Sequence, residues 1–374
     1  MSLIKDFHLT FETTNEDGSY SEGDTIVGTV SFRLTTNVSV NSLTVKAKGD
    51  AKTKWIEEVG GYLMTFTSKK RYFKVKDYLI GVTFKGTSLP KGVHKFKFRL
   101  KIPEGSMPSS FKGQNGKIVY MFEAKLSRIW WWPSEVKREI NFISKTFQQF
   151  WEGMRPQSGT VSKNIGGLSR GRVQMSATID RNVCTPGETL SVMAKICNSS
   201  SKNMRPKFKL EQNTVYRSKY HTKNSLLILL KEVGGTIRQY SEQTVSCQLK
   251  IPDDVIFSIH NCEIISVEYY IKVYLDISFA FDPEVVLPLV IAPSRFAAIQ
   301  PGEAEGPYPP GTTEATSYSN LAPPGFHTGL DPEPTEPDSC FSERQRCSPK
   351  LFIWVQSSNQ TAHTLLTQIL HTSV

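Results

Sequence analysis

The hydrophobic pattern of residues 43–55 has a period of two. Small or apolar side chains stand at every second position from Leu43 to Trp55. Because successive side chains of a β-strand point to opposite faces, this pattern predicts a strand with one buried face and one solvent-exposed face. Four of the residues predicted to face solvent are basic, namely Lys46, Lys48, Lys52 and Lys54.

A second stretch, residues 95–102, repeats this alternation. Phe96, Phe98, Leu100 and Ile102 form its apolar half. The basic half consists of Lys95, Lys97, Arg99 and Lys101. Further strand-like runs include LLILL at 226–230 and the aromatic-rich stretch 269–281, and turns rich in Pro and Gly separate them. No long stretch shows a clean helical period, so the fold class predicted is all-β, with short strands at the spacing typical of immunoglobulin-like sandwiches.

The chain also contains an internal repeat. The turn around Gly23 in YSEGDTI resembles the turn around Gly187 in CTPGETL. The motif LKIP begins at Leu100 and again at Leu249, and Tyr120 and Tyr269 are separated by the same 149 residues as these two leucines. Three landmarks in the same order predict two similar β-modules in tandem.

Composition suggests where these modules begin and end. We predict a first sandwich over 1–150, an inter-domain linker over 151–172, a second sandwich over 173–297 and a tail over 298–374. The linker prediction follows from a stretch rich in Gly, Ser and Arg without evident strand alternation. The tail is rich in Pro, Gly and acidic residues, which favours disorder.

Charge is unevenly distributed. Residues 1–150 contain 24 Lys and Arg against 14 Asp and Glu, whereas residues 301–374 contain 3 against 8. The positive first half favours anionic partners, although lysines on exposed strands also serve simply to prevent aggregation. We find no secretory signal or membrane span, and six widely spaced cysteines without a CxxC pair favour a reducing compartment without structural disulfides.

Taken together, these motifs resemble the arrestin family, and within it the α-arrestins related to thioredoxin-interacting protein. The resemblance covers about residues 1–295 and is carried by five stretches. The first is Tyr20 to Leu34, and the second is Leu89-Pro90-Lys91-Gly92-Val93-His94 with Phe96, Phe98 and Ile102-Pro103. The third is Pro108-Ser109-Ser110-Phe111, and the fourth is Gly116-Lys117-Ile118-Val119-Tyr120. The fifth, in the second module, is Pro186-Gly187-Glu188 with Asn198 and Cys262.

The resemblance implies a non-catalytic cytosolic adaptor, peripheral at the plasma membrane and endosomes. Such proteins bind transmembrane receptors or transporters and recruit WW-domain HECT ubiquitin ligases through Pro-Pro-x-Tyr motifs in the tail. This chain has no such motif, and its nearest match has Phe in place of Tyr, at Pro323, Pro324 and Phe326. Loss of the hydroxyl would weaken docking by about 1 kcal/mol. A weakened ligase motif and a Pro-rich tail without a ligand remain open alternatives.

Three adjacent tryptophans, Trp130, Trp131 and Trp132, precede Pro133. They cannot all be buried on one strand face. Packing between the two domains is the favoured interpretation, and contact with a membrane interface is the alternative, since Trp is enriched there.

If both basic strands belong to one sheet, their eight basic residues form a single plane. That plane would face an anionic membrane surface or an acidic or phosphorylated cargo tail, and a merely solvated face is the alternative. Nucleic-acid binding is not expected, because Phe96 and Phe98 point away from the basic face. No catalytic, metal or cofactor motif is recognised, so no cofactor is predicted. The functional alternatives are a constitutive retromer-like coat subunit and an extracellular β-sandwich adhesion module.

Overall fold

A computed structural model describes residues 3–12, 15, 17–82, 85–165, 171–278 and 281–297. These residues form nineteen strands, one α-helix and a short 3-10 turn. In chain order the strands are β1 Ile4–Phe11, β2 Ser19–Tyr20, β3 Thr25–Leu34, β4 Val38–Val59, β5 Tyr62–Ile80, β6 Thr87–Leu89, β7 Gly92–Lys101, β8 Phe111–Lys112, β9 Gly116–Arg128, β10 Trp131–Phe142, β11 Gln157–Ile165, β12 Gly171–Ile179, β13 Val183–Cys184, β14 Thr189–Asn198, β15 Arg205–Arg217, β16 Thr222–Val233, β17 Ser241–Lys250, β18 Ile265–Asp276 and β19 Glu284–Ile291. The helix α1 is Thr146–Glu152, and the 3-10 turn is Ser294–Phe296.

The first lobe is a sandwich of two sheets. One has the strand order β1-β3-β7, and the other has the order β2-β10-β9-β4-β5, with β6 added beside β4 and β8 beside β9. Phe122 of β9 connects the two sheets, since its ring lies 5.9 Å from that of Phe11 on β1 and 5.1 Å from that of Phe98 on β7. Alternate residues of the long strands are therefore buried, as the period of two predicts.

The second lobe is built in the same way. Its sheets have the orders β11-β12-β14-β17 and β13-β19-β18-β15-β16. Phe208, Tyr269 and Ile271 are buried between them, together with Val192 of the opposite sheet. The prediction of an all-β protein with two tandem sandwich lobes is thus confirmed.

The internal repeat has a direct structural counterpart. The Tyr120 hydroxyl donates a hydrogen bond to the Pro108 carbonyl (2.6 Å), and the Tyr269 hydroxyl donates one to the Ile256 carbonyl (2.5 Å). Each tyrosine fastens a loop onto the sheet of its own lobe, and burial raises the pKa of both phenols. The hydroxyls explain why Tyr, rather than Phe, stands at both positions.

The turns at the start of each module also correspond. The backbone N–H of Ser21 donates to the Asp24 carboxylate, and that of Thr185 donates to the Glu188 carboxylate, both at 2.8 Å. Between them, Gly23 and Gly187 adopt positive φ angles of 79° and 82°, which glycine accepts without steric cost. An acidic residue after glycine therefore closes the same turn in both lobes.

The stretch 151–172, predicted to be an inter-domain linker without strands, contains a strand. Residues Gln157–Ile165 form strand β11, which pairs with β12 over nine residues. Only Ile165 of this strand is fully buried, and β11 lies at the edge of its sheet. Order in β11 comes from backbone hydrogen bonds rather than from side-chain burial, so the hydrophobic pattern that reveals central strands is absent here.

The two lobes contact each other at one end of the first-lobe strands. The Thr53 hydroxyl donates to the Arg217 carbonyl (3.1 Å), and Lys70 forms an ion pair with Glu263 (2.7 Å). At Gly116, where β9 begins, an added Cβ would stand 3.0 Å from atoms of both Tyr216 and Ile265. Both lobes belong to one compact unit, residues 1–305. The predicted disordered tail over 298–374 lies outside the described residues.

Candidate binding surfaces

The four lysines of β4 lie on the outer face of the larger first-lobe sheet. Lys46 and Lys48 are partly exposed, Lys52 and Lys54 are exposed, and the residues between them are buried, apart from Asp50. The neighbouring strands add more positive charge than the pattern of β4 alone indicates, because three lysines of β5 stand directly opposite lysines of β4. The opposed pairs are Lys46 with Lys76, Lys48 with Lys74, and Lys52 with Lys69. On the other side of β4, Lys117 of β9 stands opposite Lys52. We call this set the lysine face.

Two carboxylates partly neutralise the lysine face. Glu123 pairs with Lys46 at 2.6 Å, and Asp50 accepts two hydrogen bonds from the Arg71 guanidinium. Burial alone would raise the pKa of Asp50, but the Arg71 hydrogen bonds and the charges of Arg71, Lys69 and Lys48 hold it below its usual value. Like charges directly opposite each other destabilise an antiparallel pair, so the remaining lysines form a surface suited to an external anion.

The basic residues of β7 do not join this surface. Lys95, Lys97, Arg99 and Lys101 are exposed, as the alternation predicts. However, β7 pairs with β3 in the smaller sheet of the sandwich, whereas β4 belongs to the larger one. The outer faces of two stacked sheets point in opposite directions. The single plane of eight basic residues is therefore wrong, because the assignment of strands to sheets depends on long-range pairing that alternation does not report.

Trp130 lies in the turn between β9 and β10, and Trp131 and Trp132 are the first two residues of β10. Trp130, Trp131 and Trp132 are 96%, 64% and 90% exposed, respectively. The favoured interpretation, packing between the domains, is therefore wrong. Strand β9 has its first residue at the lobe contact and carries the chain away from it, so the turn lies roughly 40 Å from that contact at about 3.3 Å per residue.

Strand β16 presents a further exposed surface. It forms the edge of its sheet and, among the described strands, pairs with β15 alone. Leu226, Leu227 and Ile228 are 62%, 53% and 48% exposed. Exposed apolar edge strands invite pairing with another chain. The run LLILL shows the strand, but its position at an edge follows only from the sheet order.

Groupings typical of a metal centre are not found among the described residues. The four described cysteines, Cys184, Cys197, Cys247 and Cys262, are unpaired. His260 and Cys262 line a surface depression between the lobes with Tyr72, and burial lowers the pKa of His260. The degenerate motif at Pro323, Pro324 and Phe326 lies outside the described residues. No helix in the described part of the chain is long and apolar enough to cross a membrane.

Comparison with known proteins identifies the class. The model of the arrestin (or S-antigen) N-terminal domain matches residues 7–148, and that of the C-terminal domain matches residues 169–296. The chain belongs to the arrestin family. Its relatives further place it among the arrestin domain-containing proteins, the α-arrestins.

Those relatives are similar over most of the two-lobed region. Mouse arrestin domain-containing protein 4 is 30% identical over 303 residues, which are 77% of this chain and 72% of that protein. Human thioredoxin-interacting protein is 26% identical over 301 residues, covering 77% of this chain and 74% of that protein. Arrestin domain-containing protein 17 of Caenorhabditis elegans is 26% identical over 300 residues, covering 74% and 68%. Family membership indicates an adaptor-type role that involves membrane cargo proteins.

Proposed function

We propose that this protein is a non-catalytic cytoplasmic adaptor that binds the tails of transmembrane receptors or transporters and links them to endocytic and endosomal sorting. It acts as a peripheral protein at the plasma membrane and endosomes. Membership in the arrestin family supports the adaptor role. The lysine face is the observation that supports binding of an acidic or phosphorylated tail.

The chemistry of the lysine face fits this partner. Opposed lysines at Lys48 and Lys74 and at Lys52 and Lys69 repel each other in the unbound protein. A phosphorylated or carboxylate-rich segment would relieve that repulsion through charge-assisted hydrogen bonds. Binding of this kind weakens with added salt, because the lysines are exposed to solvent.

Ligase recruitment is the second part of the proposal. The segment Pro323-Pro324-Gly325-Phe326 would dock in the aromatic-lined groove of a WW domain as a polyproline II helix. Phe326 supplies the ring of the usual tyrosine without its hydroxyl. We propose a weak ligase contact that adds ubiquitination to cargo binding.

Affinity purification from cells tests both parts. Four forms are compared with the full chain: residues 1–297, Phe326→Tyr, a lysine-face variant and a charge-matched control. The lysine-face variant carries Lys48→Glu, Lys52→Glu and Lys74→Glu. The control carries Lys95→Glu, Lys97→Glu and Arg99→Glu, which make the same charge change on the opposite sheet.

We expect the full chain, residues 1–297 and the control to recover membrane cargo. The lysine-face variant should recover none. We expect WW-domain ligases with the full chain, more of them with Phe326→Tyr and none with residues 1–297. Equal cargo recovery by the lysine-face variant and the control would refute the lysine face as the cargo site. Equal recovery of WW-domain ligases with the full chain and with residues 1–297 would refute the motif as the ligase contact.

A further inference from the structure

We propose that the turn between β9 and β10 anchors the first lobe to an anionic lipid bilayer by inserting Trp130, Trp131 and Trp132 into the interfacial region. These three residues are called the Trp tip. The anchor would account for the peripheral membrane location that the proposed function includes. The inference rests on that part of the proposed function. It does not depend on a particular cargo or ligase.

Exposure of the Trp tip is the first observation. Trp130 and Trp132 are at least 90% exposed, so each large apolar ring is surrounded by water. Exposed apolar clusters on soluble proteins mark contact sites for a partner or a membrane. The amphipathic indole is the side chain most characteristic of the membrane–water interface, where its ring lies among the headgroups and its N–H remains hydrogen-bonded.

The backbone of the turn has a defined conformation. Trp130 has a φ of 62°, a left-handed conformation that is uncommon for a bulky residue. Arg128 donates from Nη2 to the Trp132 carbonyl (3.1 Å), and its guanidinium lies 5.6 Å from the Trp131 ring centroid. The backbone of the tip is therefore fastened to Arg128, while Trp130 and Trp132 stand in solvent.

Charge around the tip is complementary to anionic headgroups. Ile129 at the tip lies beside Gly86, so the preceding residue, Lys85, is close to the turn. Lys91 is tied to the same end of the lobe, because its backbone N–H donates to the side chain of Asn37 (2.9 Å), just before β4. Both lysines are exposed. Basic residues near the bilayer surface are attracted to anionic lipids, and indoles and lysines together form a typical interfacial anchor.

These features favour a bilayer over a protein partner. A stable protein interface involves roughly 800 Å² on each side, with aromatic anchors surrounded by other packed residues. Here three rings share one turn, and lysine, a residue depleted at protein interfaces, flanks them. The position of the tip, far from the lobe contact, lets it enter a bilayer without obstruction from the second lobe.

Cosedimentation of the purified full chain with vesicles tests the proposal. Vesicles of phosphatidylcholine with phosphatidylserine are compared with vesicles of phosphatidylcholine alone. The triple Ala variant carries Trp130→Ala, Trp131→Ala and Trp132→Ala. It should bind anionic vesicles about tenfold more weakly than the wild type does. The triple Trp→Tyr variant should retain most of the binding, because Tyr also favours the interface. Tyr62→Ala with Leu63→Ala, at the exposed turn between β4 and β5, is the control for loss of apolar surface and should bind normally.

A pair of charge variants locates the lipid contact. Lys85→Glu with Lys91→Glu should weaken binding to anionic vesicles, whereas Lys52→Glu with Lys54→Glu on the lysine face should do so much less. Brominated lipids should quench the fluorescence of the wild type more than that of the triple Ala variant. Circular dichroism establishes that each variant is folded.

Two results would overturn the proposal. One is vesicle binding that is absent in the wild type or unchanged by the triple Ala substitution. The other is a triple Ala variant that no longer recovers a partner protein from cells, although the wild type does not bind vesicles. The tip would then be a protein contact. Normal cargo recovery combined with no vesicle binding would reject the anchor and leave the adaptor function intact.

Discussion

Arg295 forms an ion pair with Asp17, with 3.2 Å between Nη1 and Oδ2, although 278 residues separate them. The same guanidinium donates to the Ser19 and Ser21 hydroxyls and to the Ile143 carbonyl (3.4 Å). The 3-10 turn that follows the second lobe is thus held against the beginning of the first. One side chain links the two ends of the two-lobed region.

Replacing Arg295 should loosen this connection. We expect Arg295→Ala to lower the free energy of unfolding by about 1–2 kcal/mol, since charge-assisted hydrogen bonds contribute roughly 1.5–3 kcal/mol and partial exposure reduces that figure. Urea denaturation measures the change. Arg295→Lys should recover only part of it, because an ammonium cannot reproduce the planar fork.

Arg33→Ala is the matched control, since Arg33 forms a more exposed ion pair with Asp6 within the first lobe. It should cost no more than about 0.5 kcal/mol. Equal losses for Arg33→Ala and Arg295→Ala would contradict a special role for the connection between the chain ends.

Asp50 should make stability depend on pH in the acidic range. Its pKa in the folded protein lies below the usual value, so the folded state binds its proton more weakly than the unfolded state does. The contribution of Asp50 is therefore fully present above the ordinary carboxylate pKa of about 4 and is lost as the pH falls through the folded-state value.

Urea denaturation of the wild type and Asp50→Asn at several pH values tests this. The wild type should be more stable at neutral pH, and the difference should shrink on acidification. A difference that grows as the pH falls would contradict the sign of the shift. NMR titration of the Asp50 carboxyl provides a direct measurement of its pKa.

Removing one lysine from the lysine face should stabilise the protein. Lys74 stands opposite Lys48, and Thr favours strands, so we expect Lys74→Thr to raise the free energy of unfolding by about 0.2–1 kcal/mol. Differential scanning calorimetry at low ionic strength measures this gain, and added salt should reduce it by screening the repulsion. Binding of an acidic peptide should weaken in the same variant.

Lys112→Thr is a control of identical chemistry in the same lobe. Lys112 forms an ion pair with Glu139 (2.8 Å), so its replacement should be neutral or slightly destabilising. If Lys112→Thr and Lys74→Thr stabilised the protein equally, strand propensity rather than charge repulsion would be the cause.

The repeated tyrosines should have similar energetic roles. We expect Tyr120→Phe and Tyr269→Phe each to cost about 1–3 kcal/mol, because the Pro108 carbonyl would lose its hydrogen-bond donor in a buried setting and the Ile256 carbonyl would lose its donor in a partly buried one. Denaturant titration measures both losses. Tyr220→Phe, at a side chain that is 79% exposed, should have no measurable effect, and a comparable loss there would contradict the assignment.

The sequence predicted strands β4 and β7 correctly, because each has one face that is more buried than the other. The alternation from Leu43 to Trp55 lies within β4, and that of residues 95–102 covers most of β7. The sequence of the edge strand β11 lacks this alternation, because backbone pairing orders the strand with little side-chain burial. Periodicity therefore works where apolar side chains cover one face of a strand, as in β7 at the edge of its sheet, and fails where almost no side chain is buried, as in β11.

The candidate surfaces were less predictable. Alternation correctly assigned Lys48 and Lys97 to exposed strand faces, but it did not show that these faces belong to different sheets. The opposed lysines of β5 also needed the register of β4 with β5, which shifts by one residue between Gly49 and Asp50. For Trp131, local sequence allowed both a buried and an exposed position.

By itself, the sequence determined the fold class, the tandem repeat and the family, because these depend on local alternation and on short motifs, each contained within a few consecutive residues. Tertiary structure alone decided which strands share a sheet. It also decided that Arg295 forms an ion pair with Asp17 and that the Trp tip is exposed to solvent. The physical reason is that burial and charge neighbourhood are set by contacts between residues far apart in the chain. A residue's own neighbours in sequence do not specify those contacts.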